Sequence, residues 1–184
     1  MSARIPVAGM LAGGQGQLNV LVSAKLDLHE VNGSSILMLE PLQGEVQVRK
    51  EGRLIVVTGT LRTKVELACG RCLEPVTVPL SVDYREAFYR EGEWELVKST
   101  AETLGFSGGD EVHPFKGDTI DLSQSLTASL MLNLPMKVLC REDCRGLCPM
   151  CGTNLNRGNC DCSHEELDPR LATLRQLLGR ELES

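Results

Sequence analysis

The chain has 184 residues, 42% of them hydrophobic but only 3% aromatic, and a formal net charge of −6. This is enough for one domain with a core built mainly from Leu and Val, and no stretch reaches the roughly 18 unbroken apolar residues of a membrane helix. The negative charge excludes a simple phosphate-binding surface, so contact with nucleic acid requires local basic patches or an intermediary protein. The opening "MSARIPVAGMLAGG" carries a lone arginine and a broken apolar run, a poor signal peptide, which predicts a soluble, cytoplasmic protein.

In chain order, residues 1–35 read as a partly flexible N-terminal lead-in. Within it, "LAGGQGQLN" is glycine-rich but lacks a following Lys-Ser or Lys-Thr, so it reads as a flexible segment rather than a phosphate cradle. "VLVSAKLDL" after it reads as a strand or a short helix. Residues 36–138 read as a β-meander plus a helix. Leu61, Val65 and Leu67 alternate with Thr60, Arg62, Lys64 and Glu66, and the alternation resumes from Val76 to Tyr84. A turn around Glu51 and Gly52 joins the first two strands, and Cys69 to Cys72 form the next turn. The predicted fold is α+β: an antiparallel, barrel-like β-meander covered by helices, with cysteine-rich zinc-binding modules.

Residues 91–118 are polar and acidic and read as a connecting segment, ordered at most in part. Trp94 in that segment reads as a packing residue and His113 as a surface histidine. Asp121 then caps "DLSQSLTASLMLNLP", a helix with Leu122, Leu126 and Leu130 on one face and Pro135 at its end. Residues 139–164 form a cysteine-rich module, and residues 165–184 an amphipathic C-terminal helix that starts at Asp168 and Pro169. All of this reads as one integrated domain.

The eight cysteines carry the chemistry. Cys69 and Cys72 stand apart, while Cys140, Cys144, Cys148, Cys151, Cys160 and Cys162 crowd into 23 residues. Clustered C-x-x-C pairs in a cytosolic chain point to metal rather than to a disulfide framework. A thioredoxin-like C-x-x-C would lead into a helix. Here Pro75 and strand alternation follow Cys72, the pattern of a zinc knuckle.

Four thiolates bind zinc tetrahedrally, so eight divide into two structural sites. The favoured division joins Cys148 and Cys151 to Cys160 and Cys162, and Cys69 and Cys72 to Cys140 and Cys144, because neighbouring pairs close at least chain cost. A competing division places Cys140, Cys144, Cys148 and Cys151 together, and His164 is an alternative to one of the last cysteines. Four-cysteine sites leave no open position for water or substrate, which predicts a protein that is not an enzyme.

Taken in order, "CGRCLEPV", "IDLSQSLTASLMLNLP", "LCREDCRGLCPMCGTNLN" and "DPRLATLRQLL" resemble the YceD-like family over residues 40 to 180. Members of that family are described as large ribosomal RNA subunit accumulation proteins. The resemblance implies a bacterial or organellar factor needed for normal accumulation of 23S ribosomal RNA. It also supports the favoured division, since some members keep only the first C-x-x-C and the ligands after the Leu-Pro.

The expected function is a non-enzymatic ribosome-biogenesis factor, a zinc-stabilised scaffold that binds pre-ribosomal RNA or a large-subunit ribosomal protein. Candidate contacts are Arg62, Lys64 and Arg71 near the first knuckle, and Arg141, Arg145 and Arg157 around the second. The alternatives are a protein-binding zinc adaptor without RNA contact and, behind it, a thiol redox sensor. The oligomeric state is left open.

Overall fold

A computed structural model describes residues 3–12, 16–26, 28, 36–106 and 111–162. The chain begins with β1 (Arg4–Pro6), the short helix α1 (Ala8–Leu11), β2 (Gln17–Ala24) and β3 (Leu37–Met38). Then come β4 (Leu42–Glu51), β5 (Leu54–Ala68) and β6 (Pro75–Arg90). Helix α2 (Trp94–Thr103), β7 (Val112–Phe115), β8 (Thr119–Asp121) and α3 (Ser123–Leu132) complete the order. The predicted C-terminal helix and His164 lie outside the described residues.

The main sheet runs β2-β4-β5-β6-β7, with β3 pairing farther along β5, and β1 with β8 forms a separate ribbon. The expected meander is present as β4, β5 and β6, all antiparallel, and β2 joins β4 along its whole length. The barrel-like expectation needs correction: the sheet is open. Closure would require β2 to pair with β7, but these strands lie at opposite ends of the strand order. Moreover β7 joins β6 in parallel. A parallel neighbour needs a crossover connection, and the stretch holding α2 supplies it.

Alternation decides which side chains enter the core. Leu61, Val65 and Leu67 face inward with Val82 and Tyr84 of β6, while Arg62 and Lys64 point to solvent. At the start of β5 the alternation gives way to four consecutive buried residues, Leu54 to Val57. Both faces are covered there: Ile55 and Val57 join the main core, and Leu54 and Val56 pack in the second cluster with Val97 and Ala101. The predicted connecting segment therefore contains a helix and a strand. Trp94 packs against this second cluster with its ring 5.5 Å from that of Tyr89, the packing role expected of it. His113 is not a bare surface residue, since its side chain is 25% exposed and Nε2 lies 3.1 Å from Glu86 Oε2.

Helix α3 sits over the other face. Leu122, Leu126 and Leu130 are fully buried in the main core, and the Asp121 carboxylate accepts the Ser123 N–H at 2.9 Å. The helix is pinned to β6 by Tyr84, whose phenol oxygen lies 2.6 Å from Ser125 Oγ while Ser125 donates to the Leu122 carbonyl. Burial raises the Tyr84 pKa, so the phenol stays a neutral donor. Tyr84→Phe is expected to lower unfolding stability by about 1 kcal/mol, because the remaining Ser125 hydroxyl keeps an acceptor. Ser125→Ala strands the buried phenol and is expected to cost more, about 1–3 kcal/mol. Urea titration of both variants measures the difference. No described helix is long and apolar enough to cross a membrane.

Candidate metal centres

The tip of the β5–β6 hairpin is the first knuckle. The ladder ends at Ala68↔Pro75, and the chain between folds back on itself. Cys69 N–H donates to the Glu74 carbonyl at 2.8 Å, and Leu73 N–H to the Cys69 carbonyl at 3.0 Å. This turn aims both sulfurs at one point. Gly70 N–H donates to the Val138 carbonyl at 2.8 Å, which draws in the segment after α3 and with it Cys140 and Cys144. Cys69 Sγ lies 3.9 Å from Cys144 Sγ, and Cys72 Sγ 3.6 Å from Cys140 Sγ. All four sulfurs fall within 4.8 Å of one another.

These spacings fit a single tetrahedral ion, since a 2.3 Å zinc–sulfur bond implies sulfur–sulfur edges of about 3.8 Å. The surroundings suit thiolates as well. Cys140 N–H donates to Cys69 Sγ at 3.4 Å, and the Asn156 side-chain amide donates to Cys144 Sγ at 3.3 Å. Donors of this kind orient and stabilise metal-bound sulfur.

The second knuckle repeats the first. Cys148 N–H donates to the Thr153 carbonyl at 2.8 Å, and Gly152 N–H to the Cys148 carbonyl at 2.9 Å. Cys148, Cys151, Cys160 and Cys162 form a second group within the same 4.8 Å limit. The structure thus gathers the eight cysteines in the favoured division, and both groups could hold a metal ion. They differ in depth. Cys69, Cys72 and Cys144 are buried in the first group, whereas only Cys148 is buried in the second.

The two knuckles are latched together. Leu147 N–H donates to the Arg71 carbonyl at 3.1 Å, and Arg71 Nη1 donates to the Cys144 carbonyl at 2.7 Å. Asn154 and Arg157 both reach Glu74 Oε1, at 3.2 and 2.5 Å. Gly146, with φ 76°, lets the backbones touch, since a Cβ there would stand 3.0 Å from the Arg71 carbonyl oxygen.

The thiols divide into those that ionise readily and those that resist. Burial opposes ionisation of Cys69, but the N–H groups of Cys72, Arg71 and Cys140 outweigh it and bring the pKa down to about 6. Burial, and after it the neighbouring Cys144 and Cys72 sulfurs, push Cys140 up to about 12. In the second group the Thr153 hydroxyl and N–H lower Cys151 to about 6, while Cys151 itself and burial push Cys162 up to about 12. Four crowded sulfurs cannot all carry charge unaided. A divalent cation between them removes that conflict and favours release of the remaining protons.

The six candidate basic contacts differ in their partners. Arg62 is exposed on β5, and its side chain has no hydrogen-bond or ion-pair partner among the described residues. Lys64 pairs with Glu40 at 2.8 Å. Arg71 turns inward onto the Glu142 and Cys144 carbonyls. Arg141 bonds Asn156 and Asp143, Arg145 bonds Asn159, and Arg157 bonds Glu74. Four of the six therefore tie the cysteine-rich end together. Glu74, Asn154 and Asn156, which complete those ties, were not singled out in the sequence, because nothing about a surface Asn or Glu marks a partner distant in the chain.

The family model described as "Large ribosomal RNA subunit accumulation protein YceD" matches residues 57–178. An uncharacterized protein of Mycobacterium tuberculosis is 34% identical over 156 residues, covering 85% of this chain and 69% of the relative. The chloroplastic large ribosomal RNA subunit accumulation protein YCED homolog 1 of Arabidopsis thaliana is 27% identical over 155 residues, covering 74% of this chain and 48% of the relative. The uncharacterized protein YlbN of Bacillus subtilis is 24% identical over 162 residues, covering 86% and 88% of the two chains. No solved structure matches. A match that starts within β5 and spans both cysteine groups, with relatives aligned over most of the chain, means that this protein belongs to the YceD family.

Proposed function

We propose that this protein is a non-enzymatic factor supporting accumulation of 23S ribosomal RNA, acting in the compartment where large ribosomal subunits are built, the cytoplasm in a bacterium. The observation that carries the reading is the closed pair of four-cysteine groups at one end of an open sheet. Zinc held by Cys69, Cys72, Cys140 and Cys144, and by Cys148, Cys151, Cys160 and Cys162, would supply fixed structural nodes without an open ligand position. Such an end is a rigid scaffold for a partner rather than a reaction site. The names of the plant relatives support the ribosomal connection.

Between the two partner classes, charge favours a large-subunit ribosomal protein over naked pre-ribosomal RNA. The chain carries −6 before any metal is counted, and each zinc tetrathiolate adds about −2 relative to neutral thiols. The arginines beside the knuckles are occupied by internal acceptors. A chain of this net charge favours a basic protein over phosphate.

Arg62 tests this choice because its exposure and lack of partners let it change without disturbing the fold. The Arg62→Glu variant is expected to bind pre-ribosomal particles within about twofold of wild type across a salt series. A loss of tenfold or more, with a shallower salt dependence, would transfer the contact to RNA. In cells lacking the protein, the 23S to 16S ratio measured by quantitative RNA analysis is expected to fall and to recover with the wild-type chain. An unchanged ratio would remove the ribosomal reading.

A further inference from the structure

The side chain of Asn156 reaches from the loop of the second cysteine group to a sulfur of the first. Asn156 lies between Cys151 and Cys160, so both ends of its segment belong to the second group. Its Nδ2 donates to Cys144 Sγ at 3.3 Å and to Asn154 Oδ1 at 3.0 Å. Its Oδ1 accepts the Arg145 N–H and the Arg141 guanidinium, each at 2.8 Å. Two bonds given and two accepted are the full capacity of a carboxamide.

These bonds fix which way the amide points, because turning it over would set its NH2 against the Arg145 N–H, donor against donor. Arg141 lies between Cys140 and Cys144, and Arg145 follows Cys144 directly. The carboxamide that bonds the sulfur therefore also holds the backbone that carries it. Outer-shell donors of this kind are worth about 10–100-fold in metal affinity. What holds Asn156 itself is its own loop. None of residues 152–159 is buried, and apart from the bridge at Asn154 no strand or helix carries them. A metal ion on Cys148, Cys151, Cys160 and Cys162 would close both ends of that loop and restrict where the amide can go.

We propose that Asn156 couples the two centres: filling the second holds the amide on Cys144 and so raises the metal affinity of the first. The inference rests on the reading above of both cysteine groups as metal centres. Coupling of this kind is reciprocal, so filling the first centre raises the affinity of the second by the same factor. Asn156 is a positioning residue, since it acts on the first ion through the Cys144 sulfur.

The test withdraws zinc from the full chain with a chelator of known affinity, while native mass spectrometry counts chains holding two, one and no ions. Two backgrounds are compared: the wild-type chain, and a Cys160→Ser, Cys162→Ser chain in which only the first centre remains. Asn156→Asp keeps an acceptor for Arg141 and Arg145 but sets a carboxylate oxygen where Cys144 Sγ had its donor. It is expected to lower the overall two-ion affinity of the wild-type chain about tenfold or more. In the double-serine chain it is expected to change the one-ion affinity by less than about threefold, because there the amide is no longer held on the sulfur. Asn156→Ala removes the carboxamide without adding charge and is expected to show the same dependence on background.

Equal losses in the two backgrounds would make Asn156 a local support of the first centre alone and overturn the coupling. Unchanged affinity in both would overturn it as well, and in either case the two metal centres stand. A wild-type chain that takes up no zinc would overturn the coupling together with the metal reading on which it rests.

Discussion

Cys69→Ser is expected to yield a chain that retains one metal ion instead of two and that unfolds about 4 kcal/mol or more below wild type. Cys69 is fully buried at the tip of the hairpin, and its group closes loops of 68 and 75 residues between that tip and the segment after α3. Losing the ion frees the ends of the two longest strands and leaves crowded, buried sulfurs without a cation. Cys148→Ser is expected to lose one ion as well, but at about 1–2 kcal/mol, because its group lies within residues 148–162 and only Cys148 in it is buried. Loop length alone does not create this gap, since each doubling is worth only about 0.6 kcal/mol. The larger share comes from what each centre joins: the first ties the sheet to α3, the second mainly orders its own loop. Native mass spectrometry counts the ions and urea titration gives the stabilities. Equal losses in the two variants would mean the second centre also carries the sheet. A wild-type chain without metal, its mass reporting disulfides, would end the zinc account and bring the redox reading forward.

The cysteine grouping was legible because a knuckle has a short-range signature. Two cysteines at fixed spacing, a turn residue between or after them and, for the first knuckle, a strand on either side are all local facts. The strand pattern around Arg62 and Lys64 was legible for the same reason: period two needs only one covered face. What was missed depends on distant partners. Helix α2 buries only Val97 and Ala101 fully, too thin a stripe to announce itself between Gly92 and Gly105. Strand β7 has four residues including Pro114 and pairs in parallel with a strand already completed, so no local alternation identifies it. The open sheet is a property of which strands fail to meet, and no segment records that. The arginines' partners are hidden for a related reason. Sequence registers a cation, but the acceptors of Arg71 stand 71 and 73 residues away, and only the fold shows which carbonyls its guanidinium bonds.

Gly59→Ala is expected to cost about 3 kcal/mol, although it adds only a methyl group to a strand that faces solvent on one side. Gly44 and Gly59 mark a close approach of β4 and β5, where the ladder is interrupted between Gln43↔Arg62 and Val46↔Gly59. A Cβ on Gly59 would lie 2.5 Å from the Glu45 carbonyl oxygen and 2.9 Å from Val46 Cα, and one on Gly44 would collide with the Thr60 carbonyl oxygen. Both obstacles for Gly59 are backbone, which cannot rotate aside as a side chain would. The strands must separate, and Val46 and Leu61, both fully buried, would leave their places in the core. Gly158→Ala is the matched control: nothing lies within 4 Å of its Cβ position, and the change is expected within about 0.5 kcal/mol of neutral. The metal count of folded Gly59→Ala should stay at the wild-type value, because the knuckle lies farther along β5 and is closed by its own bonds to Glu74 and Val138. Loss of an ion together with stability would instead show that the close approach of β4 and β5 at Gly59 sets the aim of Cys69, making sheet and centre one cooperative unit.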